Sequence, residues 1–489
     1  MLGTLQSLIL ENGYLDFPEH FYQRNTPTSL KGAHLISFNS EVARLLDLNP
    51  CKVNPDELAY YFGGGGLLPT SQPLAMKYAG HQFGSYNPDL GDGRGLLLGE
   101  VVNQQGERWD LHLKGAGKTA FSRFGDGKAV LRSSIREYLV SEAMHGLNIP
   151  TTRALCLIGS HEYTLREGME PCAMVLRVSQ SHIRFGHFEH FYYSRKHDDL
   201  KRLAEYCLER YFPDLIKESD PYLAMFREIR DRSINMVAKW QAYGFVHGVM
   251  NTDNMSILGE TFDYGPYTFM DNYRADFVSS HTDHQGRYAF QRQPDIVLWN
   301  LSCLAQALLP LTGKEKLIES LDEYKSLYLT AYYQLMRKRL GLQVKREGDD
   351  LLVDQLIALA SAQRIDLNRF LRDLCSFEPS QQTSLDRCLS HFSQAAPAQD
   401  WMLAYGSRLV KEAASTPIRQ QQMRAVNPCY LLRNYMAEEA IKAANQGDYQ
   451  GVNELLAVVR KPFEEKAEFA HYAEAPPEWA SGISLSCSS

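Results

Sequence analysis

The sequence predicts an α+β protein in which a small mixed lobe of strands and helices precedes a larger, mainly helical one. Three observations carry that reading. Residues 86–178 contain short apolar or alternating runs separated by Gly- and Asn-rich turns, the signature of strands. Beyond Asp198 the pattern becomes mostly helical, with no internal repeat or low-complexity block. The chain has 489 residues, 44% hydrophobic and 22% charged. That is enough for a sizeable core shared by two to four domains or one large two-lobed unit.

Taken in order, residues 1–80 read as an irregular N-terminal extension, with Gly63 to Gly66 and several prolines marking loops. Residues 81–180 form the small lobe. Within it, 87–95 read as a loop, 96–102 as an apolar strand, 103–106 as a turn and 107–114 as a second strand. In that second strand Trp109, Leu111 and Leu113 share one face, and Asp110, His112 and Lys114 share the other. A loop at 115–127 leads into a helix over about 130–145, and a strand follows near 172–178. Residues 181–430 form the helical lobe, and 431–489 a helical segment with a flexible tail carrying Cys487. The longest apolar stretch, 296–311, is interrupted by Asn300, Ser302 and Gln306. It falls short of the ~20 residues of a membrane span and reads as a buried helix.

Composition excludes several functions. The formal net charge of −7 argues against nucleic acid or an anionic membrane as partner, while leaving room for local basic clusters around phosphates. The first residues lack the basic and apolar regions of a signal peptide, so a cytoplasmic protein is expected, and a monomer. Nine scattered cysteines, with no C-x-x-C, indicate neither a disulfide framework nor a zinc site. Cys487, in a Ser-Cys-Ser-Ser tail, is either incidental or an exposed thiol able to pair reversibly.

The stretch His247-Gly-Val-Met-Asn-Thr-Asp-Asn254, followed by Asp263-Tyr-Gly265, reads as a protein-kinase catalytic loop and metal-binding triplet with one part missing. A kinase places its catalytic Asp two residues after the His and a metal-binding Asn seven after it, with D-F-G later. Here His247 and Asn254 keep the spacing, but the position of the base is Val249. Asn254 and Asp263 are hard oxygen donors suited to Mg²⁺ or Mn²⁺ beside nucleotide phosphates. Asp253, the only carboxylate in the eight-residue loop, is the candidate proton acceptor, with an ordinary turn carboxylate as the alternative.

Upstream lie the partners such a site needs. Gly91-Asp-Gly-Arg-Gly95 precedes a strand. Its glycines admit phosphate oxygens to backbone N–H groups and Arg94 adds a cation, although Gly-Asp-Gly is also a common turn. Lys114 ends the second strand, where a kinase-like site holds its phosphate-binding Lys, and Glu137 on the next helix is its candidate partner. Glu137 also fits a capping box with Ser134. Gly117-Lys118-Thr119 is no P-loop, because His112 stands where that motif needs Gly. Arg177, inside the apolar run 173–178, needs an anionic partner if buried. Arg184 follows in the loop, and both could equally be surface charges.

Taken together, these segments resemble the selenoprotein O family, pseudokinases that act as protein adenylyltransferases. Tyr78-Ala-Gly-His-Gln-Phe-Gly84, Leu113-Lys-Gly-Ala-Gly117, Phe124-Gly-Asp-Gly-Lys128, Arg132-Ser-Ser-Ile-Arg-Glu137 and Phe185-Gly-His-Phe-Glu189 extend the match over essentially the whole chain. The resemblance implies a protein-kinase-like two-lobed fold that holds ATP flipped, so that AMP is transferred to Ser, Thr or Tyr hydroxyls of proteins and pyrophosphate leaves. UTP, as a UMP donor, self-modification and redox regulation are implied beside it. By the same resemblance Lys114 binds phosphate and pairs with Glu137. Gly91, Gly93, Arg94, Asp126, Gly127, Arg177, Arg184 and Asp263 hold the nucleotide. Asn254 and Asp263 bind the metal, and Asp253 takes the proton. Some members carry selenocysteine third from the C-terminus, where this chain has Cys487. A γ-phosphoryl-transferring kinase and an inactive nucleotide-binding scaffold are the alternatives.

Overall fold

The computed structural model describes residues 3–486. The first part of the chain supplies β1 (Leu10–Glu11), β2 (Tyr22–Arg24), β3 (His34–Phe38), α1 (Ser40–Leu45) and α2 (Pro55–Phe62). There follow β4 (Leu74–Gln82), β5 (Ser85–Gly91), β6 (Gly95–Val102), β7 (Arg108–Lys114), β8 (Ala129–Val130), α3 (Leu131–Gly146), β9 (Arg153–Leu165) and β10 (Met169–Ser179). These ten strands make one sheet in the order β2-β4-β6-β7-β10-β9-β3, with β1 added on β6, β5 on β4 and β8 on β10. Every pairing is antiparallel.

Two expectations are corrected here. Residues up to about 80 are not irregular, because β1, β2, β3 and most of β4 come from them and complete the sheet. Their apolar residues are too few per strand to show a period-two pattern, and pairing with longer strands sets their structure. The loop expected at 87–95 is shorter, because β5 runs to Gly91 and pairs with β4.

The sheet is buried on both faces. Leu111 and Leu113 of β7, Leu96 and Leu98 of β6 and Met174 and Leu176 of β10 pack with Val42, Leu58 and Phe62 of α1 and α2. On the other face Leu157, Ala173 and Val175 meet Ile135 and Leu139 of α3. That core continues into α4 (Phe185–Tyr193), α5 (His197–Tyr211) and α6 (Pro221–Tyr243) through Phe188, Leu203, Met225 and Trp240. α6 starts at an Asp220 cap, whose carboxylate accepts from the Leu223 amide at 3.2 Å, and ends at Gly244. Gly244 has φ 70°, the left-handed turn that Gly adopts most readily. The chain then forms β11 (Phe245–Val246), which pairs with β12 (Thr268–Phe269), and the loop 247–254 and Asp263 lie between the two strands. The apolar stretch near 300 is α7 (Gln293–Leu308), with Val297, Leu301 and Leu304 fully buried. Helices between residues 324 and 424 gather around a separate core of Met336, Leu356, Phe370, Trp401 and Tyr405, whereas Leu317, Met436, Ile441, Val452 and Leu455 of other C-terminal helices join the first core. No described helix is long and apolar enough to cross a membrane.

Candidate active site

The alternation of β7 puts Lys114 and His112 on the face opposite Leu111 and Leu113, as the sequence indicates. Arg177 of β10 shares its face with Ala173 and Val175, toward α3. The helix α3 presents Glu137 to the same place. Its first residue is Leu131, so Ser134 lies inside the helix and the capping-box alternative is dismissed. Glu137, 4% exposed, instead pairs with Lys114 Nζ.

Asp263 is the hub of the cluster. Its Oδ1 accepts from Lys114 Nζ at 2.8 Å and Arg177 Nη1 at 3.1 Å, and its Oδ2 from Arg184 Nη1 at 2.9 Å. Burial would raise its carboxyl, but Lys114, Arg177, Arg184 and Arg94 hold it well below the usual carboxylate range. Its φ of 56° is left-handed, a conformation Asp tolerates better than most residues. Arg177 and Arg184 are 3% and 1% exposed, so neither is a surface charge. The Arg184 guanidinium lies between the rings of Tyr78 and Phe262, 4.9 and 4.5 Å from their centroids.

The loop 247–254 is held from several sides. His247 is fully buried. Its Nδ1 accepts from the Val249 amide at 3.3 Å and its Nε2 lies 2.8 Å from Thr261 Oγ1. Burial lowers its pKa to about 4, so it is a neutral structural residue. The tip between β4 and β5 is tied to the loop, with the His81 amide donating to Thr252 Oγ1 at 2.7 Å and the Phe83 amide to Asn251 Oδ1 at 3.2 Å. Asp253 Oδ2 accepts from Gln82 Nε2 at 3.3 Å, and its Oδ1 is buried with no hydrogen-bond partner. Burial, opposed by Arg184, pushes its carboxyl up to about 7.

These groups line or back a cleft of about 580 Å³. Gly91, Gly93, Arg94, Lys114, Asp126, Gly127, Arg177, Arg184, Asp253 and Asp263 all face it, while Glu137 and Asn254 stand behind the wall. Gly127 has φ 75°, and a Cβ there would fall 2.2 Å from the Gly117 backbone, so the second loop closes on the first only with Gly. Asp126 turns toward the rim, where its carboxylate accepts from Arg166 at 2.8 and 3.0 Å and from Thr164 Oγ1 at 2.6 Å. Its contribution is therefore to shape the loop as well as to line it. The cleft also includes His112, Asp92, Lys128 and Arg166, which the sequence reading missed. His112 and Asp92 had a signal, one sharing the Lys114 face and the other standing inside the Gly loop. Arg166, in a hairpin turn, had none.

Asn254 and Asp263 are the residues at the inner end that could hold a divalent cation. Asn254 Nδ2 donates to the Val249 carbonyl at 2.9 Å, which leaves the amide oxygen as the group for a cation, and Asp263 is held ionised. Among the described residues no three His, Cys, Asp or Glu side chains form a self-sufficient metal site, so phosphate oxygens must complete the shell, as is usual for Mg²⁺.

Comparison with known proteins agrees with the geometry. The profile of the family described as protein adenylyltransferase SelO matches residues 4–460. The protein nucleotidyltransferase YdiU of Hahella chejuensis (strain KCTC 2396) is 56% identical over 493 residues, covering 100% of this chain and 99% of its own length. Those of Pseudomonas fluorescens (strain Pf0-1) and Stutzerimonas stutzeri (strain A1501) are 49% and 47% identical, each with 100% of both chains covered. The cluster of buried cations around Asp263, the loop 247–254 beside it, and full-length relatives of one kind lead to one conclusion: the chain belongs to the SelO family of protein adenylyltransferases.

Proposed function

We propose that this protein transfers AMP from ATP to Ser, Thr or Tyr hydroxyls of proteins and releases pyrophosphate, on a kinase-like fold with lobes at 81–180 and 181–430. The observation that carries the reading is the convergence of Lys114, Arg177 and Arg184 on Asp263 beside a loop whose only carboxylate is Asp253. Lys114, Arg177 and Arg184 share the two carboxylates Asp263 and Glu137, and three cations over two carboxylates suit a polyphosphate whose leaving part gains charge in the transition state.

In the reaction the acceptor hydroxyl oxygen bonds to the α-phosphorus and the bond from that phosphorus to the bridging oxygen breaks. Asp253 takes the hydroxyl proton, and its unpartnered Oδ1 is the atom for it. Arg177, Arg184 and Lys114 stabilise the departing pyrophosphate, and Glu137 keeps Lys114 extended toward it. The glycines of the two loops bring backbone N–H groups to the nucleotide. Asn254 and Asp263 would hold Mg²⁺ or Mn²⁺, which neutralises phosphate charge when bound. UTP is accepted as a UMP donor, the chain modifies itself, and Cys487 confers redox control. Cys487 lies outside the described residues. Mass spectrometry of a modified acceptor protein tests the reading: an adenylyl adduct on a hydroxyl side chain is expected, and a phosphoryl adduct alone would support the kinase alternative instead.

A further inference from the structure

In the antiparallel pairing of β7 and β10, Arg177 lies directly opposite His112, so the two side chains leave the sheet on one face. Arg177 Nη2 is 3.0 Å from His112 Nδ1. A guanidinium only donates, so Nδ1 must carry a lone pair, and the imidazole is neutral with its proton on Nε2. That nitrogen lies 3.3 Å from Asp92 Oδ2, within electrostatic reach of the carboxylate though outside hydrogen-bond geometry. The same carboxylate oxygen accepts from the Met76 amide at 3.0 Å, and Asp92 Oδ1 stands 4.0 Å from Arg184 Nη2. Asp92, 3% exposed, is the middle residue of Gly91-Asp-Gly93, and its carbonyl accepts from Thr119 Oγ1 at 2.7 Å. Beneath His112 the His182 ring is stacked at 4.6 Å and 19°, which limits its rotation. A carboxylate, an imidazole and a guanidinium are thus in sequence, and such outer partners fix the tautomer and orientation of the group that meets the ligand.

We propose that His112 and Asp92 are positioning residues that aim Arg177, and with it the phosphate clamp, and tie that clamp to the first Gly loop. The proposal rests on the reading of Arg177 as a phosphate-gripping residue. Neither His112 nor Asp92 needs to touch the nucleotide for this role.

The test is a double-mutant cycle on the full chain, with ATP and an acceptor protein. His112→Leu, which removes the acceptor for Arg177, is expected to lower kcat/KM by about 10–100-fold, the effect of one hydrogen bond to a charged group. His112→Asn, whose carbonyl can replace Nδ1, is expected to recover most of that loss. In an Arg177→Met background the same His112→Leu change should have almost no further effect, because coupled residues are not additive. Equal losses in both backgrounds, or a His112→Asn enzyme as poor as His112→Leu, would overturn the proposal. If His112→Leu does not fold, His112→Gln takes its place in the cycle, since its carbonyl reaches the Nε2 position and not Nδ1. Wild-type kcat/KM for Arg177→Met alone would instead remove the functional reading beneath it.

Discussion

Asp253→Asn separates the chemistry of this site from its architecture. The change keeps volume and the backbone carbonyl that accepts from Arg184 Nη1 at 2.7 Å, and Gln82 can still reach the new side chain. It removes the only carboxylate in the catalytic loop. A general base contributes roughly 10²–10⁴-fold, which is about 2.7–5.4 kcal/mol of barrier at 1.36 kcal/mol per tenfold. Turnover should fall by that factor, while nucleotide affinity stays close to wild type, because the proposed reading assigns the phosphates to Lys114, Arg177 and Arg184. Stability should not fall. Burial disfavours the charged Asp253 carboxylate and pushes it up to about 7, so a neutral amide of the same shape leaves the melting temperature level or raises it. The assay pairs single-turnover adenylylation with nucleotide titration and thermal unfolding. Turnover within tenfold of wild type would refute the base assignment. A collapse of nucleotide affinity matching the loss of turnover would make Asp253 part of the binding wall instead.

Three further outcomes are expected. Asp263→Ala and Asn254→Ala should each abolish transfer, and Mn²⁺ binding in the presence of nucleotide, followed by electron paramagnetic resonance, should weaken in both. Asp263→Ala should in addition cost stability of about 3–5 kcal/mol, since it removes the carboxylate shared by three buried cations and leaves Arg184 with only the Asp253 carbonyl at hydrogen-bond distance, whereas Asn254→Ala should cost far less. Burial lowers His187 to about 3 and His247 to about 4 and raises Asp253 and Glu260 to about 7, so from pH 7 to 5 the histidines lose stability, because the unfolded chain takes up their protons first, while the two carboxyls gain it, because the folded chain does. Asp253→Asn removes one of the opposing carboxyls, and its denaturation midpoint should therefore fall more steeply from pH 7 to 5 than that of the wild type; parallel profiles would contradict this. Under oxidant, peptide mapping should find Cys487 in a disulfide with another cysteine of the chain and activity altered; only free thiol there, with activity indifferent to Cys487→Ser, would remove the redox reading and leave the transferase reading intact.

The meeting of Lys114, Glu137 and Asp263 was more legible in the sequence than the N-terminal architecture, for physical reasons. A Lys ending a strand, a Glu on the next helix and an Asp before Gly in that chain order are the arrangement a kinase-like site needs. β7 was readable because its two faces differ in polarity. The strands β1 to β3 were not, because two to five residues are too short to display a period, and they are ordered by the strands they join. Arg177 was ambiguous until its neighbours were seen: a lone Arg in an apolar run says that a partner is needed but does not name Glu137, Asp263 and His112. His112 and Asp92 were overlooked because they act on other side chains, and cross-strand register is invisible in a linear sequence. For Asp126 the sequence suggested contact with nucleotide, whereas the folded loop shows a carboxylate also engaged by Arg166 from a distant hairpin.

The central claim is that the α-phosphate, and not the γ-phosphate, reaches the acceptor. ATP labelled separately at the two positions, incubated with the full chain and an acceptor protein, tests it most directly. The account predicts label on protein from the α position alone, with the γ label recovered in pyrophosphate. Label on protein from the γ position alone would contradict it.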